Sequence, residues 1–104
     1  MSAPPFKVVF SDKVQAWAER ASKKSNLKTK FEKFKKAVKL LRNVGPSHPG
    51  LRTHKMDTWR GPNGEAVWNS YVENGTPSAW RMYWIYDGPD RIQILSVGPH
   101  DHTI

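Results

Sequence analysis

Val67 to Tyr86 reads VWNSYVENGTPSAWRMYWIY, and the way this stretch divides decides the fold. Asn74-Gly75 is a hairpin-type dipeptide, because both residues tolerate positive φ. On either side of it, VWNSYVE (67–73) and AWRMYWIY (79–86) are short and rich in aromatic and β-branched residues, as strands are. Strand alternation then sorts the side chains. Trp80, Met82, Trp84 and Tyr86 share one face, and Arg81, Tyr83 and Ile85 share the other. The first row is the more apolar and is expected to be buried. Arg81 is expected on the opposite, open face, where a cation stays solvated or meets an anion. Asn69 and Tyr71 share a face of their own strand and can neighbour Arg81 across the hairpin.

Working outward, Asp87-Gly88-Pro89 is a second turn, leading into a strand over 91–97 (RIQILSV). Gly61-Pro62-Asn63-Gly64 is a third, preceded by a short strand over 51–56. Before the loop NVGPSHPG the period changes from that of strands to that of helices. Phe31, Phe34, Val38 and Leu41 form a helical stripe, with Thr29 and Glu32 in the spacing of a capping box and Gly45-Pro46 as the stop. Val14, Trp17, Ala18 and Ala21 form the stripe of an earlier helix over 12–24, and 6–10 (FKVVF) reads as a first strand. The expected order is β-α-α-β-β-β-β. This is an α+β fold in one domain, 1–104, with two N-terminal helices packed on one face of a small, mostly antiparallel sheet.

Charge narrows the function classes. The chain of 104 residues carries 17 Lys+Arg against 9 Asp+Glu, a formal +8. Residues 1–50 hold twelve basic and three acidic residues, whereas 51–104 hold five and six. A basic field concentrated on one helix favours a polyanion, nucleic acid above all. Without cysteine, neither a disulfide framework nor a thiolate metal site is available. No stretch approaches the roughly 18 apolar residues of a membrane span, and no secretory signal pattern opens the sequence, so a cytoplasmic address is expected.

Histidines are the candidate proton carriers. An imidazole with an ordinary pKa near 6.5 can act as acid or base at neutral pH. His54 lies in LRTHK (51–55), and His100 follows the last strand in GPHDHTI (98–104). They can form one pair only if the first strand of the meander and the end of the chain meet at one edge of the open face. His100 and His102 at i, i+2 could ligate a metal, a weaker reading with only Asp101 nearby. His102 is read as tail. Trp59, beside Arg60 at a polar turn, is an aromatic that could stack on a base if exposed.

With PGLRTHKM (49–56), the hairpin quoted above and ILSVGPH (94–100) in that order, the sequence resembles the RelE/ParE superfamily of bacterial toxin–antitoxin toxins. The resemblance runs from about Lys7 to His100. It implies the RelE-like microbial RNase fold and, for the mRNA-interferase branch, cleavage of mRNA in the ribosomal A site without a metal or other cofactor. The ribose 2′-OH attacks the adjacent phosphate, leaving a 2′,3′-cyclic phosphate and a 5′-OH. By the same resemblance, Arg81 matches the arginine used on the scissile phosphate. His100 matches a terminal catalytic residue, the general acid, and His54 matches a catalytic histidine of one subfamily. Tyr71 matches a hydrogen-bonder or proton donor. Arg52, Lys55, Asn69, Arg60 and Trp59 are expected to bind substrate, and Lys30, Lys33 and Lys36 to contact ribosomal RNA. The implied partners are a cognate antitoxin, the ribosome and mRNA, with no membrane. Two departures stand out: WNSYV lacks the lysine of the RelE type, and the tail HDHTI lacks a tyrosine. The rivals are a ParE-like gyrase-inhibiting toxin and a non-catalytic basic nucleic-acid-binding module.

Overall fold

The computed structural model describes residues 4–75, 78–100 and 102–103. Its order is β1 (Lys7–Phe10), α1 (Asp12–Lys23), α2 (Lys28–Asn43), β2 (His54–Arg60), β3 (Ala66–Tyr71), β4 (Arg81–Tyr86) and β5 (Arg91–Gly98). The five strands form one sheet, β1-β5-β4-β3-β2. From β2 to β5 it is an antiparallel meander, and β1 adds to the outer edge of β5 in parallel. The α+β expectation holds.

Both helices cover one face of the sheet. Trp84, Met82, Ile92 and Ile94 are buried from the sheet side, against Val14, Phe34 and Leu41 from the helices. Trp17 meets Phe34 edge-on at 5.2 Å between ring centroids and contacts Trp80 at 5.7 Å. Buried polar atoms in this layer are paired: Trp84 Nε1 donates to Ser70 Oγ at 2.9 Å, and Ser70 Oγ lies 2.7 Å from Thr53 Oγ1. At the start of α1, Ser11 Oγ accepts from the Val14 amide and donates to the Leu95 carbonyl, tying the helix to β5.

Three local expectations are corrected. The capping box does not form. A 3-10 turn over Ser25–Leu27 leads directly into α2, whose first amide, that of Lys28, bonds to the Ser25 carbonyl, so Thr29 falls inside the helix. Glu32 pairs instead with Lys35 at 3.5 Å. The strand expected over 51–56 begins only at His54. Pro49–Leu51 form another 3-10 turn, and Arg52 takes a left-handed conformation, φ 46°, before the strand starts. The open face is also not bare. Val67, Tyr83 and Ile85 form a second buried cluster there, joined by Met56, Trp59 and Leu95. The β2–β3 register shifts between Met56 and Arg60, and Trp59, in that irregular segment, is half-buried against the cluster.

Candidate active site on the open face of the sheet

Strand register places the polar side chains of the open face in two rows. Residues paired across adjacent strands point to the same side of a sheet. One row runs His54, Asn69, Tyr83, Ser96 across β2, β3, β4 and β5. The next, two residues along, runs Tyr71, Arg81, Gly98 across β3, β4 and β5.

Arg81 is the centre of the second row. It is only 6% exposed. Its guanidinium carbon lies 3.6 Å from the Tyr71 ring centroid, and Nη1 donates to the Ala79 carbonyl at 2.7 Å. Arg52, turned by its left-handed backbone, brings a second guanidinium to 5.9 Å from the same ring. Among the described residues neither arginine has a carboxylate in ion-pair range. A guanidinium is permanently charged, and burying one with a π-face and a carbonyl but no anion leaves its charge uncompensated. Arg81 and the exposed Arg52 near the same ring together offer an anion two guanidinium groups, whose planar fork suits phosphate.

His54 stands beside this cluster at the edge strand, exposed. Its Nδ1 lies 3.1 Å from the Arg52 carbonyl. A carbonyl only accepts, so Nδ1 carries the proton, and in the neutral ring Nε2 keeps a bare lone pair suited to taking another. Asn69, next in the row, is 4% exposed, and its Oδ1 is buried with no hydrogen-bond partner, while Nδ2 reaches only the Met56 sulfur at 3.5 Å.

His54 and His100 do not meet at one edge. In a meander the first and last strands are the farthest apart, and here β3 and β4 separate β2 from β5. Three strand spacings amount to roughly 14 Å. The two histidines therefore flank the Arg81 row from opposite sides, with His100 exposed just beyond Gly98-Pro99.

His102 is the residue that the sequence reading missed. It is not loose tail. Its ring stacks on Tyr83 at 4.2 Å with 10° between the planes. Nδ1 lies 2.8 Å from the Pro99 carbonyl, so it donates there, and Nε2 lies 2.9 Å from Ser96 Oγ. Burial pushes its pKa below the ordinary 6.5 and Lys13 adds to that, against an opposing contribution from the Pro99 bond. With the imidazole neutral, Ser96 donates to Nε2 and both ring nitrogens are occupied. Gly98 makes this docking possible: a Cβ there would stand 2.8 Å from His102 Cγ. The sequence signal was the glycine, four residues before the histidine it must admit.

Other expected site residues lie elsewhere. Lys55 pairs with Trp68, so alternation sends it to the helix-covered side. Arg60 ends β2 opposite Ala66, three residues along β3 from the Asn69 that pairs with His54, which puts it about 10 Å along the sheet from that row at 3.3 Å per residue. Trp59 is next to it and packed. Lys30 and Lys33 reach back to Glu73, at 2.6 and 3.2 Å, and Lys30 also covers the Trp80 ring. Burial works to raise the Glu73 pKa, but the hydrogen bonds from Lys30, the Trp80 amide and Lys33 outweigh it and hold the carboxyl below its usual range. Lys36 is exposed and has no ion pair among the described residues.

This architecture has a counterpart among solved structures. The structure of the YoeB dimer from Staphylococcus aureus superposes with a TM-score of 0.64, covering 92% of this chain and 98% of that one. The fold is that of YoeB. Identity with YoeB is 14%, so the likeness is one of fold. The expected architecture, two helices on one face of a small, mostly antiparallel sheet, is thus borne out. No family model matches the sequence, and no curated protein matches it. No helix among the described residues is long and apolar enough to cross a membrane.

Proposed function

We propose that the protein is a metal-independent endoribonuclease, the toxin of a type II toxin–antitoxin pair, that cuts mRNA in the ribosomal A site. The observation that carries this reading is Arg81, a nearly buried guanidinium stacked on Tyr71, joined by Arg52 and with no carboxylate in ion-pair range among the described residues. The two arginines take the non-bridging oxygens of the scissile phosphate and stabilise the charge that grows on the phosphorane. His54, its Nε2 unprotonated, removes the proton of the ribose 2′-OH. The 2′ oxygen attacks phosphorus and the P–O5′ bond breaks. His100 lies on the β5 side of the Arg81 row and so acts across the phosphate rather than as a direct partner of His54. When protonated it delivers a proton to the leaving O5′, giving a 2′,3′-cyclic phosphate and a 5′-OH. Tyr71 positions both arginines, and its hydroxyl is a further hydrogen-bond donor. Asn69 Oδ1 offers an unused acceptor beside His54.

Lys36 and the other exposed lysines of α2 contact ribosomal RNA in this scheme, in a sequence-independent and salt-sensitive way. Lys30 and Lys33 are engaged by Glu73 and contribute less. A cognate antitoxin, acidic or amphipathic, would close the open face, and the protein would act in the cytoplasm. The test is to incubate programmed ribosomes with the protein and its His100→Ala variant, then map 5′ ends and identify the 3′ termini. Codon-positioned cuts ending in cyclic phosphate and lost in the variant support the reading. Toxicity with intact mRNA and stalled gyrase would support the ParE-like rival. RNA binding with neither cutting nor toxicity would leave a basic binding module.

A further inference from the structure

Between α2 and the 48–51 turn lies a cleft of about 350 Å³, bordered by Tyr71 and through that residue adjoining the arginine cluster. We propose that this cleft is a nucleoside-binding subsite, holding the nucleotide next to the scissile phosphate. The inference rests on the ribonuclease reading for its place in the RNA, but not for the chemistry of the cleft.

Its volume falls in the range of about 300–1,000 Å³ common to small-ligand sites. The floor is apolar, with Ala37, Leu51 and Val72 buried beneath it, and suits the face of a base. The rim is polar. His48 Nδ1 accepts the Gly50 amide at 3.0 Å, so in the neutral ring the proton sits on Nε2, a donor left for a ligand. Asn74 brings an amide, whose Nδ2 makes only a long bond of 3.4 Å to the Gly50 carbonyl. Lys36 supplies an ammonium free of ion pairs among the described residues. Glu73 also borders the cleft, but Lys30 and Lys33 neutralise it, so it does not repel an anion. Apolar floor, hydrogen-bonding rim and an unpaired cation fit a nucleoside phosphate better than an acidic peptide, which would leave the floor uncovered.

Connectivity gives the position. Leu51 in the floor directly precedes Arg52, and Tyr71, which borders the cleft, carries Arg81 at 3.6 Å. A phosphate held by the two arginines thus lies one side chain from the mouth of the cleft, within reach of the adjoining nucleoside. Gly50 supports the arrangement, because a Cβ there would stand 3.0 Å from His48 Cε1 and push the ring away.

The experiment follows amide resonances of the protein while adding nucleoside 3′-monophosphates, inorganic phosphate, or an RNA trinucleotide made uncleavable by 2′-deoxy substitution. Nucleotide and trinucleotide are expected to shift Ala37, Leu51 and Val72, with binding weakened about five- to tenfold by Lys36→Ala and by Gly50→Ala. Arg81→Gln should weaken binding of the nucleoside 3′-monophosphate, whose phosphate reaches the arginines, while leaving its shifts at Ala37, Leu51 and Val72 in place at saturation. Two results would overturn the proposal. One is RNA cleavage without any cleft shift. The other is inorganic phosphate reproducing the nucleotide pattern, which would reduce the cleft to an anion site. Cleft shifts in a protein that never cuts RNA would support the nucleoside site while removing the ribonuclease reading.

Discussion

Gly98→Ala should detach His102 from the open face. The new Cβ would sit 2.8 Å from Cγ, 3.0 Å from Cβ and 3.2 Å from Cδ2 of His102, too close for the ring to remain. The strand itself tolerates alanine, since Gly98 is not among the positive-φ glycines. What is lost is one stacked ring pair, about 0.5–1.5 kcal/mol, and two hydrogen bonds, about 1 kcal/mol each. Freeing the backbone of the docked residues returns roughly 1–2 kcal/mol of that loss. The net cost is about 1–2 kcal/mol, and each kcal/mol lowers the midpoint by roughly 4–8 °C in a domain of this size. Thermal unfolding of the single variants Gly98→Ala and His102→Ala, and of the double, isolates the effect. Each single change should cost a similar amount, and Gly98→Ala should cost nothing further once His102 is absent. An equal penalty for Gly98→Ala in both backgrounds would refute the reasoning, because the clash would then be with something other than the imidazole.

Other expectations follow from the same contacts. Ser70→Ala strands the buried Trp84 Nε1–H, and the denaturant midpoint should fall by about 1–3 kcal/mol equivalent with an unchanged slope. Glu73→Gln releases Lys30 and Lys33 toward phosphate, so the log–log salt dependence of RNA affinity should steepen by roughly 0.7 per lysine. His102 binds protons more weakly when docked than when free, so its docking is fully present above the ordinary 6.5 and is lost as pH falls through the depressed value. Stability measured against pH should decline through that window in the wild type, and His102→Ala should lack that component of the decline.

Much of the fold was legible because a few local patterns are stiff. Alternation in AWRMYWIY placed Trp84 under the helices and Arg81 on the open face, and Asn74-Gly75 brought Tyr71 across from it. The same alternation, applied to His54, would have removed Lys55 from the site. What escaped was non-local. Glu73 captures Lys30 and Lys33 from 43 and 40 residues away along the chain, and nothing in a lysine-rich helix marks which amines are already satisfied. The capping box lost to an upstream 3-10 turn that starts the helix at Lys28 and leaves Thr29 inside it. Trp59 turned inward through a register shift that depends on the β2–β3 pairing. His102 became part of the open face only because the chain folds back over Gly98, a contact visible in sequence as no more than a glycine before a polar tail.

The central claim is that the arginine pair on Tyr71 grips a scissile phosphate. Single-turnover cleavage of a defined mRNA on programmed ribosomes, with wild type and Arg81→Gln at matched circular dichroism, tests it most directly. The variant should cleave about 10²–10³-fold more slowly, and neither protein should cleave when the attacking 2′-OH is replaced by hydrogen. Cleavage at the wild-type rate by Arg81→Gln, or cutting that persists without the 2′-OH, would contradict the claim.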